Sequence, residues 1–224
     1  MLVDAISSSL PMSLGVALSP LPIAAILIIL MSARAVINAP AFLLGWMAGI
    51  LTIGLVVSLM PGLLTARGEP SQFSGLIRVA LGVALLLLAG RQWRLRPGPG
   101  AAVKVPRMLT RLDSLGVMQS LITGFLLSAI HPKNLILNAA GAAAIDANLL
   151  DSGTQYIALV IFTLIASVGI TMPIAAYLIS RRVVGAMLGR WKDWLIRNNV
   201  HLIVVLLLIL SALLMARGLH ILLT

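Results

Sequence analysis

Ser128-Ala129-Ile130-His131-Pro132-Lys133-Asn134 interrupts an apolar run that extends from about Leu115 to Ile145. A membrane-crossing helix needs about 20 mostly apolar residues, so the run is long enough to span. At roughly 1.5 Å of rise per residue the interruption falls near mid-bilayer. Proline removes a backbone donor and disrupts the turn before it. It is nevertheless favoured as the first residue of a new helix, with Ser or Asn-like groups just ahead. The stretch therefore predicts one helix ending and a half-helix starting at Pro132. A second break of the same kind, Ser19-Pro20-Leu21-Pro22, lies about ten residues into the run from Leu10 to Ala33.

Working outward from the two breaks, four more apolar segments appear. They cover Ala39 to Met60, Phe73 to Gly90, Thr154 to Ser180 and Val200 to Leu219. Arg34 and Asn38 fall in the turn between the first two segments, and Pro61-Gly62 with the polar stretch from Arg67 to Gln72 separates the second from the third. Composition agrees: of 224 residues 60% are hydrophobic and 10% charged, against roughly 25% charged in soluble domains. Six spans use roughly 120 residues, which leaves no room for a separate soluble unit. Continuous apolar runs exclude β-barrel strands, which alternate in polarity and are about ten residues long. The fold expected is an all-α polytopic membrane protein of six transmembrane helices, with helices 1 and 4 broken. Cysteine is absent, so no disulfide framework or thiol chemistry is available. Ala33-Arg34-Ala35 resembles a signal cleavage site, but no basic residue precedes the run, so the first helix is expected to be retained.

Shifting the sequence by 112 residues superposes Pro20 on Pro132, Leu14 on Leu126 and Ser8 on Ser120. One break per half, with three helices per half, predicts two inverted repeats, residues 1–90 and 115–224, joined by a basic loop at 91–114. Discontinuous helices in inverted repeats build substrate sites at the midplane. Each new half-helix would bring a partial positive charge at its N-terminus, and Lys133 and protonated His131 add to that field. An anionic group is the expected ligand. The candidate substrate-binding residues are Ser19, Pro20, Pro22, His131, Pro132, Lys133, Asn134 and Asn138; the proton-coupling candidates are His131 and Asp146. Lys133 stands out because a basic residue at a helix centre costs roughly 2.5–3.5 kcal/mol. An ion pair with Asp146 would require the segment to fold back. Asn134 and Asn138, one turn apart, either line the site or hold it together. A neutral His131 serving as a cap is the alternative to a proton carrier.

The 16 Lys and Arg against six Asp and Glu give a net charge of +10. Twelve of the basic residues fall in the 1–2, 3–4 and 5–6 loops, and Arg67, Arg78 and Arg217 fall on the other side. The positive-inside rule then puts the basic loops in the cytoplasm and both termini outside. This reading also makes nucleic acid an unneeded partner. Trp93, Trp191, Trp194 and Trp46 fit an inner aromatic belt, and residues 181–199 read as an interfacial amphipathic helix or a solvated loop. Gly45 and Gly49 form a GxxxG pair suited to close helix contact, and Pro173 marks a kink in the fifth helix. No metal-ligand cluster, phosphate-binding glycine loop or nucleophile motif is present, so neither a cofactor nor an enzymatic activity is expected.

The His-Pro-Lys-Asn-Leu element at 131–135, Ser-Pro-Leu-Pro at 19–22, six spans and the basic 3–4 loop resemble the lysine exporter superfamily. Within it they are most similar to the actinobacterial GAP/Sap family of glycopeptidolipid- and sulfolipid-addressing proteins. Amino-acid exporters of the superfamily usually carry Asn-Pro-Lys in the fourth helix and Gly-Pro in the first. Here the matching positions hold His131 and Ser19, which favours the lipid-addressing branch. The resemblance implies help in moving an envelope lipid or glycolipid outward across the bacterial plasma membrane. Three functions follow from the sequence: a secondary transporter or flippase for an anionic or polar envelope lipid; a proton-coupled exporter of an amino acid or other small solute; and an accessory scaffold of a larger lipid-export machine. Self-association as a homo-oligomer is left open.

Overall fold

A computed structural model describes residues 1–59, 72–96, 115–148, 150–179 and 181–223. The regular elements among these are all helices: α1 Leu2–Ala17, α2 Pro20–Leu30, α3 Ala35–Leu59, α4 Gln72–Arg94, α5 Val117–Ala129, α6 Pro132–Asp146, α7 Ser152–Ile179 and α8 Arg181–Leu223. Among the described residues four helices are long and apolar enough to cross a membrane by themselves. The pairs α1–α2 and α5–α6 are bent by 51° and 65° and raise the number to as many as six when each pair is one span. The exterior fits a multi-pass membrane protein, with Leu87, Ile157, Met172 and Ile179 turned outward. The core holds Phe42, Trp46, Phe162, Ile26 and Ile170.

Several expectations need correction. The first helix starts at Leu2 rather than Leu10; Leu2, Val3 and Ile6 are apolar enough to extend it. Asn38 lies inside α3, fully buried, and its amide donates to the Leu115 carbonyl at 2.7 Å. It thus anchors the start of the second half. Helix α4 continues past Gly90 to Arg94. Residues 181–199 are neither a loop nor a separate helix: α8 runs without a break into the last span. Trp46 is no belt residue but fully buried, whereas Trp93, Trp191 and Trp194 are exposed. The stretches 60–71 and 97–114, which hold the Pro61-Gly62 break and most of the basic loop, lie outside the described residues.

Proline alone does not break these helices, for Pro11, Pro40 and Pro173 sit inside continuous ones. The segment after the acidic turn begins with a side-chain cap: Asp151 accepts from the Thr154 backbone N–H at 3.0 Å and its hydroxyl at 2.6 Å. The Thr154 hydroxyl, followed by its N–H, holds the Asp151 carboxyl below the usual aspartate range, so this cap persists down into acid and is lost only as the carboxylate protonates.

Helix association in lipid depends on close packing rather than on the hydrophobic effect, and glycine supplies it here. Helix α3 lies parallel to α5, with Gly45 against the Leu121 carbonyl and Gly124 against the Phe42 carbonyl. A Cβ at either position would fall on backbone well inside contact distance. On α7, Gly169 meets the Ala17 carbonyl in the same way. Helices α4 and α8 pair antiparallel, Gly75 facing Gly218 and Gly82 facing Ser211. In an open helical position Gly→Ala gains about 1 kcal/mol of propensity, so the sign of the effect identifies a packing glycine. Gly45→Ala and Gly124→Ala are expected to lower the thermal midpoint in detergent. Gly90→Ala, in α4 with nothing within 4 Å of the added carbon, is expected to leave it unchanged or raise it.

Candidate functional site

The two breaks meet. Ser19 precedes Pro20 with an extended backbone (φ −73°, ψ 110°), and His131 precedes Pro132 similarly (φ −59°, ψ 121°), as the residue before proline prefers. Pro20 and Pro132 are the first residues of α2 and α6, where the missing N–H costs nothing. The Ser19 hydroxyl donates to Asn134 Oδ1 at 2.9 Å. The start of α2 therefore adjoins the start of α6, although 115 residues separate them in sequence.

The hydrogen bonds at the junction follow from what the breaks release. In an unbroken helix each carbonyl accepts from the N–H four residues on. Ser19 N–H turns to Val16 instead, which frees the Gly15 carbonyl. His131 N–H reaches back to Leu126, which frees Leu127. Pro132 has no N–H, which frees Ser128. Each freed carbonyl receives a side chain. Lys133 Nζ donates to Gly15 O at 2.9 Å, Asn134 Nδ2 to Leu127 O at 2.8 Å, and Asn138 Nδ2 to Ser128 O at 3.0 Å. All three donors are buried, Lys133 being 3% exposed.

Lys133 thus lies at the C-terminal end of α1, where the helix dipole is negative. The sequence reading had its charge adding to the positive N-termini of the half-helices; the geometry directs it to an opposite partner. An ion pair with Asp146, which would require the segment to fold back, does not form, since α6 is unbroken from Pro132 to Asp146 and about 1.5 Å per residue puts the two some 20 Å apart. For the same reason His131 and Asp146 sit at opposite ends of α6. Asp146 is buried and accepts from Gln155 Nε2 at 2.9 Å, whereas His131 is half-buried with Nδ1 enclosed and without a hydrogen-bond partner. Ser19, Pro20 and Pro22 are buried and Pro132 is exposed. Asn138 also has an enclosed oxygen, Oδ1, without a partner. The structure therefore gathers Ser19, Pro20, His131, Pro132, Lys133, Asn134 and Asn138 around one junction and leaves Asp146 remote.

A helical bundle with four to six candidate spans, two of them bent helix pairs that adjoin at their breaks, has the construction of a multi-pass membrane protein. The chain belongs to the Sap, sulfolipid-1-addressing protein, family, whose model matches residues 10–220. Membership connects it to the export or addressing of cell-envelope lipid. No curated protein and no solved structure matches the chain significantly.

The carbonyl assignments can be checked by coupling. Pro132→Ala restores an N–H that can close on Ser128 O, the acceptor used by Asn138. Loss of a buried hydrogen-bond partner costs about 1–3 kcal/mol. Asn138→Leu is accordingly expected to be destabilising in the wild-type chain and less so, by about 1 kcal/mol, in the Pro132→Ala background. Thermal unfolding of the four proteins of the cycle in one detergent measures the coupling; strict additivity would contradict the assignment.

Proposed function

We propose that the chain is a secondary transporter or flippase that helps carry an anionic or polar envelope lipid outward across the plasma membrane. Its six spans form two inverted repeats, residues 1–90 and 115–224, joined by the cytoplasmic loop 91–114, with both termini outside. The pattern of packing supports this reading. Helix α3 of the first half packs on α5, the leading half of the second half's broken helix. Helix α7 of the second half packs on α1, the leading half of the first half's broken helix. Helices α4 and α8, third in each half, pack on one another. Exchanging the halves reproduces every one of these pairings, as a two-fold axis in the membrane plane requires.

The observation that carries the proposal is the junction itself. Two bent helices are held together by side-chain bonds, Lys133 Nζ to the Gly15 carbonyl and the Ser19 hydroxyl to Asn134 Oδ1, rather than by continuous backbone. Such bonds exchange partners without breaking a helix, so one half can move against the other while the freed carbonyls pass to substrate or to water. Ser19, Pro20, Pro22, His131, Pro132, Lys133, Asn134 and Asn138 form the substrate-facing and hinge region in this reading. A second reading, a proton-coupled exporter of a small solute, draws on the enclosed, unpartnered Nδ1 of His131. It predicts that His131→Gln abolishes the proton dependence of transport.

The decisive experiment is export in cells lacking the native chain and complemented with variants at matched membrane levels, with surface lipids quantified by mass spectrometry. Lys133→Ala and Pro132→Ala are each expected to reduce the surface lipid at least about tenfold. Unchanged export by both variants would remove the junction from the mechanism.

A further inference from the structure

A cavity of about 240 Å³ lies between α1, α4, α6 and α8, at the end of the bundle where the chain begins and ends. It occupies the seam between the α4–α8 pair, whose helices pack chiefly on one another, and the α1–α6 pair. Met12, Leu81 and Leu214 contribute apolar wall; Arg78 and Arg217 contribute charge. Arg78 is about two turns from the start of α4 and Arg217 about two turns from the end of the antiparallel α8. The two guanidinium groups therefore reach the same cavity at one depth.

No Asp or Glu lines the cavity among the described residues. Asp146, at the end of α6, is instead bonded to Gln155 on α7. Arg217 Nη1 donates to the Ser8 carbonyl at 2.9 Å, which fixes the side chain. The Ser8 hydroxyl and the Asn148 amide donate to the Ala144 carbonyl, and that amide also donates to the Ser8 hydroxyl. Their donors are therefore engaged. The remaining guanidinium N–H groups are the ones available to a ligand. Two like charges drawn together beside an apolar seam need a counter-anion, and a guanidinium fork matches the oxygens of phosphate or sulfate. Forks arriving from two helices supply donors on two sides of the ligand. A tetrahedral oxyanion with three or more oxygens uses both sides, whereas a planar carboxylate offers only two oxygens.

We infer that Arg78 and Arg217 form a binding site for a phosphate- or sulfate-type oxyanion in the cavity between α1, α4, α6 and α8. The apolar wall beside them suits the headgroup of a lipid whose chains leave through the seam, and free oxyanion is the other source of the same chemistry. The site is separate from the junction of broken helices, and its occupancy is read without transport, so its failure and that of the transport proposal are distinguishable.

The test uses the full chain in phosphatidylcholine nanodiscs. One arm adds a small fraction of phosphatidylglycerol and counts the molecules retained by native mass spectrometry; the other titrates sodium sulfate and follows the thermal midpoint. The wild-type chain is expected to retain phosphatidylglycerol at least tenfold over phosphatidylcholine when the source is lipid, or to be stabilised by sulfate when it is free anion. Arg78→Gln/Arg217→Gln is expected to abolish the effect. Arg34→Gln, in the turn before α3, is expected to leave it intact. Ala147→Phe occupies the cavity without changing charge and is expected to reduce binding in a chain that keeps both arginines. That variant keeps the test valid if the double variant folds poorly. Absence of binding by the wild-type chain in both arms, or binding unaffected by both the double variant and Ala147→Phe, overturns the site.

Discussion

Every backbone polar group at mid-bilayer depth must find a partner within the protein, because hydrocarbon offers none. The two breaks release the carbonyls of Gly15, Leu127 and Ser128 at that depth, and three side chains from a single helical turn and a half, Lys133, Asn134 and Asn138, meet them. The bent geometry depends on this exchange. Pro11, Pro40 and Pro173 release a carbonyl each and yet leave their helices continuous, so the proline is a necessary part of the break but not its sufficient cause. What distinguishes Pro20 and Pro132 is a cluster of donors on α6 that serves both sites at once.

That cluster also fixes how the halves are related. Asn134 and Asn138 repair the break in their own span, but Lys133 reaches the end of α1 and Ser19 reaches Asn134. Repair of one break is thus shared with the other, and the two bends cannot be set independently. Glycine then brings the remaining elements close: Gly45 and Gly124 let α3 lie on α5, and Gly169 lets α7 lie on the end of α1. Polar bonds set the angles at the junction, and close contact sets the spacing around it.

The sequence made the elements and the breaks legible because both are local. A run of apolar residues announces a span, and Ser19-Pro20 or His131-Pro132 announces a new half-helix. The GxxxG pair Gly45 and Gly49 was legible for the same reason. What sequence could not supply was pairing at a distance. Nothing near Lys133 indicates that its partner is Gly15, 118 residues earlier. Asn38 read as a turn residue because its acceptor, Leu115, lies in the other half. Trp46 read as a belt residue because position along a helix does not reveal which face is buried. Arg78 and Arg217 read as topology alone, since their convergence depends on the antiparallel packing of α4 on α8. Depth gave no signal either, for Arg78 lies about a turn and a half inside its apolar segment and Arg217 only two residues from the end of its own.

The basic residues therefore divide by the physical demand placed on each. Exposed ones near helix ends, such as Arg34, Arg91 and Arg94, are open to water and need no protein partner; in the topology proposed above they mark the cytoplasmic face. Lys133 has left water and compensates by giving its charge to the negative end of α1. A buried ammonium with a backbone acceptor satisfies the fold but leaves little field for a ligand. Arg78 and Arg217 are the intermediate case. Arg78 is half-buried and Arg217 exposed, both line one cavity, and no carboxylate lines that cavity among the described residues. A positive charge placed for a ligand is recognised by the partner it lacks. By that criterion the anion chemistry belongs at the α4–α8 seam, and Lys133 belongs to the hinge.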